Sequence, residues 1–307
     1  MLVRVGFGRR RRARLDAAVA IGPSLAYTST IASRGGAARH ALTLEEYQVS
    51  ISIDQELVDA VRAIAERAGK AILEVYETDF DVARKDDASP VTEADERAER
   101  LIIDAIRGEI GSAYPIVAEE AVAAGDIPDV GEQPFWLVDP LDGTKQFVKR
   151  QGEFTVNIAL IEDRRPLLGV VHAPALSATY WGSPLGAFAA DDGAAAQAIA
   201  CRPFPARGVI AVASRSHRNA ETDAFLARYD LADSISAGSS IKFCLVAAGK
   251  ADVYPRTGRT MEWDTAAGHA VVRFAGGTVH DLEGRELLYA KPGFENPHFV
   301  VSGPPAT

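Results

Sequence analysis

The sequence predicts an α+β fold in two lobes, and three hydrophobic patterns support this prediction. Residues 54–76 carry apolar side chains at helical spacing, which indicates an amphipathic helix. Residues 153–190 contain four apolar runs of strand length separated by turns, which favours an antiparallel sheet. After residue 208, strand-like and helix-like runs alternate, and this alternation is typical of a layered α/β arrangement.

The chain is expected to divide into three segments. Residues 1–50 are predicted to be an extension that is disordered or belongs to a mis-assigned start, because residues 1–40 hold eight arginines but one acidic residue. Residues 51–200 are predicted to form an N-terminal α+β lobe, and residues 201–307 a C-terminal α/β lobe. The boundary is placed at "AIACRPFPARG", where the composition changes.

The N-terminal lobe is expected to begin with two helices, the first over residues 54–76 and the second from about Thr92 to Ile110. Thr92 and Asp95, in "TEAD", are typical of a capping box at the start of the second helix. Strands are then expected at "PIVAEE", "QPFWLVDP", "EFTVNIALIED", "PLLGVVHAP", "SATYWG" and "GAFAAD". The second of these strands should stop at Pro140, because proline has no N–H to donate to a sheet.

The C-terminal lobe is expected to alternate strands with helices. Its first strand, "VIAVAS", precedes one helix over residues 219–229 and another over residues 240–248. The strand "ADVYP" follows, and then the helix in "EWDTAAGHAVVRFAGG", which a glycine pair closes. The strand "TVHD" comes next.

Length and composition exclude several classes of protein. The chain has 307 residues, of which 47% are hydrophobic and 24% charged, as in globular proteins with a sizeable core. No run of about 18 apolar residues is present, so no transmembrane segment is expected. The net charge of −9 argues against general nucleic-acid binding. Two cysteines without a CxxC pair indicate a reducing, cytoplasmic compartment.

The segment "WLVDPLDGTKQF" places two carboxylates directly after a buried strand. Asp139, Asp142 and the carbonyl of Leu141 offer three hard oxygen donors within a short turn, and magnesium prefers such ligands. Gly143 permits close approach of a ligand, and the N–H groups of Gly143 and Thr144 could hold a phosphate if a helix starts there. The alternative interpretation is an exposed turn capped by aspartates.

Further acidic residues lie in other predicted elements. Glu119 and Glu120 are expected to end the strand "PIVA", where adjacent carboxylates repel each other unless they are solvated or bound to cations. Asp264 opens the helix in "EWDTAAG", where it is expected to act as an N-cap or as a metal ligand. Asp95 is also explained either by helix capping or by a place in a site, so both interpretations stay open for each residue.

Four motifs taken together resemble one known family. "SPVTEAD", "IVAEE", "WLVDPLDGTKQF" and "EWDTAAGHAVVRFAGG" have the order and spacing of the inositol monophosphatase superfamily of magnesium-dependent, lithium-sensitive phosphatases. The resemblance extends over about residues 54–302. Within the superfamily, "DPLDGTK", "SRSH" and "GSSIKFCLVAAGKADVYPR" resemble the CysQ branch, the 3'(2'),5'-bisphosphate nucleotidases. The loop "RTGRTMEWD" departs from the branch's usual "RFGPTxEWD".

The resemblance implies a layered αβαβα sandwich with the active site between its two lobes. It implies two magnesium ions, or three, with most of the metal-binding motifs in the N-terminal lobe and substrate contacts in the C-terminal lobe. The implied metal ligands are Glu119, Asp139, the Leu141 carbonyl, Asp142 and Asp264. Asp95 with Thr144 would orient or deprotonate the attacking water, and Glu120 would support the site. The implied substrate contacts are Gly143, Thr144, Lys145, His217, Ser239, Lys242 and Arg256.

The implied activity is removal of the 3'-phosphate from adenosine 3',5'-bisphosphate, or from its sulfated form, in sulfur assimilation. One alternative is a phosphatase of the same fold that acts on inositol phosphate, histidinol phosphate or fructose bisphosphate. Another is a catalytically inactive protein that binds a phosphometabolite or a metal. The cations of the implied substrate set favour the nucleotide, because they match a second phosphate. Two of these residues also have interpretations without a role in substrate binding. Lys242 could be a snorkelling side chain, and His217 could belong to a solvated loop.

The expected partners follow from the same resemblance. We expect a small-molecule nucleotide substrate, no nucleic acid, and a monomer or a homodimer. The expected location is the cytoplasm, with a peripheral position on the inner face of the cell membrane as an alternative.

Overall fold

The computed structural model describes residues 52–84 and 90–306. The extension predicted at residues 1–50 lies outside this described part of the chain. Two large β-sheets and the helices that cover them make up most of the described residues. Within the described residues, no helix combines the length and the hydropathy needed to cross a membrane.

Two N-terminal helices form where the hydrophobic periodicity predicts them. Helix α1, Gln55–Tyr76, begins at Asp54, whose side chain accepts a hydrogen bond from the Leu57 N–H at 2.9 Å. Helix α2, Glu93–Ala105, continues into a π-helical turn at Ile106–Ile110. Both helices bury one face, and together they cover one side of the first sheet.

A seven-stranded sheet forms the first β layer. Two short strands pair with each other before it, β1 at Ala83–Arg84 and β2 at Pro90–Val91. The strands of the sheet are β3 Ile116–Ala118, β4 Phe135–Asp142, β5 Thr155–Glu162, β6 Arg165–Ala173, β7 Ala178–Ser183, β8 Gly186–Asp191 and β9 Gln197–Ala198. They are ordered as numbered, with β3 parallel to β4 and all later pairs antiparallel. Short helices α3, Glu119–Ala123, and α4, Thr144–Val148, follow β3 and β4.

A five-stranded sheet forms the second β layer. Its strands are β10 Val209–Ser214, β11 Leu231–Ala237, β12 Val253–Arg256, β13 Thr278–Asp281 and β14 Phe299–Ser302. They lie in the order β11-β10-β12-β14-β13, with β10 parallel to β11 and β12, and β14 antiparallel to both of its neighbours. The helices between these strands are α5 Ala220–Leu226, α6 Ile241–Ala247 and α7 Glu262–Phe274. The predicted lobe boundary near residue 200 lies in the connection between the two sheets.

Two expectations about strands are wrong in detail, and strand β11 is among those not expected from the sequence. Strand β4 continues through Pro140 to Asp142, because its register with β5 shifts there and the proline needs no ladder hydrogen bond. Glu119 and Glu120 do not end β3 but begin α3. Strand β11 is absent from the expected elements because most of its residues are exposed, so it lacks alternating hydrophobicity.

The elements stack as a five-layer αβαβα sandwich, which confirms the expected fold class. Helices α6 and α7 lie between the two sheets, and α1 and α2 cover the far side of the seven-stranded sheet. Ala211 and Ala213 of β10 pack with Leu226 of α5, whereas Val212 points into the main core. Helix α5 therefore covers the outer face of the five-stranded sheet.

Glycines on two neighbouring strands allow α7 to lie close to the seven-stranded sheet. A Cβ added at Gly169 of β6 would lie 2.5 Å from the carbonyl oxygen of Ala267. A Cβ added at Gly182 of β7 would lie 2.6 Å from the carbonyl oxygen of Ala270. Since real side chains do not tolerate such distances, the position of α7 depends on the absence of side chains here.

We expect the Gly169→Ala substitution to lower the free energy of unfolding by about 2 kcal/mol, because the added methyl group overpacks the interface with α7. Urea denaturation monitored by circular dichroism measures this loss. The matched control is Gly108→Ala, whose added Cβ meets no atom within 4 Å. Equal stability of the two variants would contradict the close approach of α7.

Candidate active site

One cavity of about 220 Å³ collects residues from both sheets and from the helices between them. Most of the predicted site residues line it, namely Glu119, Asp139, Leu141, Asp142, Gly143, Thr144, Lys145, His217, Ser239, Lys242, Arg256 and Asp264. Asp95 and Glu120 are not among the lining residues. The fold thus brings together side chains that lie far apart in the sequence.

The turn after β4 is organised by its own backbone and by Asp139. The Asp139 Oδ1 atom accepts a hydrogen bond from the Leu141 N–H at 3.0 Å, and this fixes the peptide between the two aspartates. Gly143 adopts φ 94° at the start of α4, a conformation that favours glycine. A Cβ there would lie 2.9 Å from the Glu153 carbonyl oxygen, so glycine is also required by space.

Asp95 reaches the cavity through Thr144. Its Oδ2 accepts hydrogen bonds from the N–H of Thr92 at 2.8 Å and from the Thr92 hydroxyl at 2.7 Å. Its Oδ1 accepts from the Thr144 hydroxyl at 3.3 Å, while the same hydroxyl lies 3.1 Å from the Leu141 carbonyl oxygen. The capping interaction and the contact with the cavity therefore use different oxygens of one carboxylate.

Two cations that line the cavity, Lys242 and Arg256, are buried rather than solvated. Lys242 is 5% exposed, and its Nζ donates to the carbonyl oxygen of Ser239. Burial lowers the pKa of Lys242 to about 8, although the carboxylate of Asp142 opposes this shift. Arg256 is 8% exposed, and its Nε is buried without a hydrogen-bond partner among the described residues. An anion in the cavity would remove that cost.

His217 lies at the rim of the cavity, in contact with Lys145. The His217 Nε2 atom is 3.0 Å from the Lys145 Nζ, and the His217 N–H donates to the Ser214 hydroxyl at 3.2 Å. The residue keeps an exposed side, but partial burial of the ring, together with the charges of Arg256, Lys145 and Lys242, lowers the pKa of His217 to about 4. The ring is therefore neutral at pH 7, so its Nε2 can accept a hydrogen bond from Lys145.

Comparison with known proteins identifies the family. A model of the inositol monophosphatase family matches residues 54–300. The chain belongs to the inositol monophosphatase family. Members of this family are generally metal-dependent.

Relatives within the family include named nucleotidases. The 3'(2'),5'-bisphosphate nucleotidase CysQ of Escherichia coli (strain K12) is 45% identical over 249 residues, which cover 80% of this chain and 99% of that protein. CysQ of Buchnera aphidicola is 37% identical over 256 residues, which cover 82% of this chain and 95% of that protein. The crystal structure of CysQ from Bacteroides thetaiotaomicron superposes with a TM-score of 0.69 at 39% identity, covering 81% of this chain and 97% of that chain.

Acidic side chains of this family member repel one another in the cavity. Burial raises the pKa of Asp142, Lys242 opposes the rise, and the carboxylate of Glu119 adds to it. Burial raises the pKa of Asp264 well above its usual range, and repulsion from Asp142 and Glu119 raises it further. The cavity therefore favours an added positive charge beside these carboxylates.

The donors suit a divalent cation such as magnesium. Within residues 52–84 and 90–306, no three His, Cys, Asp or Glu side chains are gathered closely enough to hold a metal ion by themselves. Magnesium does not need such a cage, because it keeps several waters and is usually bound by one or two carboxylates and a substrate phosphate. Asp142, Asp264 and Glu119 supply carboxylates, and the turn at Leu141 supplies a carbonyl oxygen, so the residues fit this ion.

Sequence reasoning missed Glu99 and Asn157, which support the cavity. Both Glu99 carboxylate oxygens accept hydrogen bonds from the start of α3, at 2.7 Å from the N–H of Glu120 and 2.9 Å from the N–H of Ala121. The Ser240 hydroxyl donates to the Asn157 Oδ1 at 2.6 Å. In the sequence Glu99 lies in a charged helix, and no local pattern marks it as buried.

We expect Asp142→Asn to raise the Tm of the metal-free protein by about 2–4 °C, the shift that about 1 kcal/mol produces in a chain of this size. Because the pKa of Asp142 is raised in the folded state, its ionisation costs no stability below the unfolded pKa of about 4. The cost grows as the pH rises through the folded pKa, so the gain should be largest at neutral pH.

Thermal denaturation at pH 5 and pH 8 in excess chelator tests this expectation, and added magnesium should stabilise the wild type more than the variant. Asp104→Asn is the matched control, because Asp104 is exposed on α2. A lower Tm for Asp142→Asn than for the control would show that the carboxylate stabilises the metal-free fold.

Proposed function

We propose that the chain is a magnesium-dependent phosphomonoesterase that converts adenosine 3',5'-bisphosphate to AMP and inorganic phosphate. The observation that carries this proposal is a single cavity that combines four acidic side chains with two buried cations. The CysQ relatives, named as 3'(2'),5'-bisphosphate nucleotidases, support the substrate class. Acidic side chains alone would suit a metal site, but the buried cations also suit an anion with more than one phosphate.

The proposed metal ligands are the predicted ones. Two magnesium ions, or three, would be held by Glu119, Asp139, the Leu141 carbonyl, Asp142 and Asp264. When bound, such ions neutralise the charge of a phosphate, acidify a water and stabilise the leaving alkoxide. Since burial, together with repulsion between the carboxylates, raises the pKa of Asp142 and Asp264, both gain stability from a neighbouring cation.

The start of α4 would orient the phosphate that is removed. Gly143 and Thr144 have the first backbone N–H groups of this helix, which lack partners within the helix itself. Because Gly143 has no Cβ, its backbone can approach an oxygen of the substrate closely. These donors would hold the phosphate with its phosphorus facing the water that attacks it.

Thr144 and Asp95 would orient that water and take its proton. The Thr144 hydroxyl can accept a hydrogen bond from water while it donates to the Asp95 Oδ1, 3.3 Å away. The other oxygen of Asp95 is held by Thr92, so the carboxylate has a fixed orientation. Because Asp95 does not line the cavity, the proton of the water would pass to the Thr144 hydroxyl while the proton of that hydroxyl passes to Asp95 Oδ1.

The second phosphate of the nucleotide would be bound by the cations of the cavity. Lys242 and Arg256 are buried beside the acidic residues, and Lys145 with His217 lies at the rim. Ser239 adds a hydroxyl to this group. Arginine and lysine are the usual partners of phosphate oxygens, and a buried arginine nitrogen without a partner gains most from such a contact.

The main alternative is a phosphatase for a polyol or sugar phosphate in the same cavity. A substrate with a single phosphate would leave Lys242 and Arg256 without a second phosphate to bind, and this disfavours the alternative. An inactive phosphometabolite-binding protein is disfavoured because Asp95, Thr144 and all the predicted metal ligands are present together.

The proposal includes a place in metabolism and in the cell. Activity on the sulfated bisphosphate and a role in sulfur assimilation follow from the resemblance to the CysQ branch. A cytoplasmic location is supported by the two cysteines, Cys201 and Cys244, which are free thiols buried in the structure.

Phosphate release from adenosine 3',5'-bisphosphate, inositol 1-phosphate and fructose 1,6-bisphosphate tests the substrate. We expect magnesium-dependent turnover that strongly favours the nucleotide and is lost with excess chelator or with lithium. Preference for a sugar-type phosphate would refute the nucleotide assignment, and absence of turnover on all three would favour a binding protein.

We expect Thr144→Val to lower kcat by about 10²–10⁴ with little change in KM, because the variant loses the hydroxyl that orients the water but keeps the side-chain shape. Steady-state kinetics on the nucleotide measure both constants. Thr278→Val is the matched control, since the Thr278 hydroxyl contacts Ser302 at 3.2 Å, in β13 and β14. Near-normal kcat for Thr144→Val would remove Thr144 from the mechanism.

A further inference from the structure

Three connections between elements meet beside the proposed binding site for the second phosphate. They are the α4–β5 connection at residues 149–154, the β10–α5 connection at residues 215–219, and the β11–α6 connection at residues 238–240. The second contributes His217 to the cavity and the third contributes Ser239. Their relative positions therefore decide where these two side chains lie.

The carboxylate of Glu153 joins all three connections. It accepts hydrogen bonds from Arg215, from Nε at 2.8 Å and from Nη2 at 2.7 Å. It also accepts from the Gly238 N–H at 2.8 Å. Arg215 Nη2 donates in addition to the Ser236 carbonyl oxygen at 2.7 Å, so the guanidinium is held on both sides. A bidentate pair of this kind fixes orientation as well as distance.

The backbones of the α4–β5 and β11–α6 connections also lie close together. A Cβ at Gly238 would lie 2.7 Å from the Glu153 carbonyl oxygen, so these two connections touch directly. Ser239, the next residue, has φ 44°, a conformation that non-glycine residues rarely adopt. Such a backbone persists only where its surroundings hold it, and the hydrogen bond from Gly238 to Glu153 lies directly beside it.

A second tie links the β10–α5 connection to α4. The Gln146 Nε2 donates to the Ser216 hydroxyl at 2.6 Å, next to the contact between Lys145 and His217. The two rim residues, Lys145 and His217, are thus positioned by the hydrogen bond between their chain neighbours, Gln146 and Ser216.

We propose that Glu153, paired with Arg215, is a positioning residue that holds His217 and Ser239 where they contact the second phosphate of the substrate. This inference rests on the proposed function. Neither Glu153 nor Arg215 lines the cavity, so neither side chain touches the substrate, although the charge of the Glu153 carboxylate also favours the protonated form of Lys242.

A second arginine–glutamate ion pair, Arg165 with Glu286, lies away from the cavity and serves as a control. Arg165 donates to Glu286 from Nε at 3.1 and 3.0 Å and from Nη2 at 2.8 Å. It lies at the start of β6, away from the residues that line the cavity. If ion pairs of this kind act on stability alone, the two pairs should respond alike to substitution.

The kinetic test uses the full chain with magnesium and compares Glu153→Gln and Arg215→Gln with Arg165→Gln. The substrates are adenosine 3',5'-bisphosphate and adenosine 3'-monophosphate, which differ by the second phosphate. For Glu153→Gln and Arg215→Gln we expect KM for the bisphosphate to rise about ten-fold. We expect kcat and the KM for the monophosphate to stay within about two-fold, and Arg165→Gln to change none of these values.

A second measurement does not depend on activity. The pKa of His217, followed by NMR in the ligand-free protein, should rise from about 4 toward its ordinary value of 6.5 in Glu153→Gln, because a released connection exposes the ring to water. Loss of the negative charge of Glu153 would by itself lower this pKa, so a rise identifies movement of the connection. Arg256, Lys145 and Lys242, the charges that face the ring, are unchanged in this variant.

The outcomes separate the two proposals. Equal effects of Glu153→Gln and Arg165→Gln, or a lower Tm without a change in KM ratio or in the pKa of His217, would overturn the positioning role. If the wild type does not hydrolyse the nucleotide, the proposed function fails, and the positioning role is then decided by the pKa of His217 alone.

Discussion

The close packing of helix α7 between the two sheets is the constraint on which the cavity depends. Gly169 brings the sheet against one side of the helix, and Gly268 on the helix admits the ring of Phe243 on the other, where a Cβ would lie 2.5 Å from the ring. Because α7 is fixed on both sides, its first turn has one position. Asp264 lies in that turn and therefore meets the end of β4, where Asp142 lies. Packing of apolar layers thus brings together carboxylates that would otherwise move apart.

The cavity contains buried charges of both signs, and burying each of them costs free energy. Asp142 and Asp264 are hard to ionise because burial and mutual repulsion oppose their charge. Lys242 is hard to protonate because it is buried, and Asp142 offsets part of this cost. A ligand that combines metal ions with phosphate groups supplies both missing charges at once. The buried charges of the cavity are therefore fully stabilised only when both the metal ions and the phosphate groups are bound.

Local patterns in the sequence account for the helices, most strands and the turn at Asp139 to Thr144. Hydrophobic periodicity locates α1 and α2, and the aspartates and glycine of the turn indicate its chemistry without any knowledge of the fold. Glu99 and Glu153 could not be found in this way. Each is an ordinary charged residue in sequence, and its importance arises from backbone N–H groups that only the folded chain brings near it. Strand β11 escapes prediction for a related reason, since it is an exposed edge strand whose pairing with β10 replaces the missing hydrophobic signal.

The shared middle layer has a consequence for how the chain comes apart. Residues of α6 and α7 belong to a core that also contains residues from both sheets, such as Leu137 of β4 and Val301 of β14. If either sheet separates from the layer formed by α6 and α7, apolar surface of the shared core becomes exposed. Although the sequence divides naturally into two halves, this core is shared between them, so the two halves should melt in one cooperative transition. Exchange of the most protected amide hydrogens would then occur by global unfolding in both sheets.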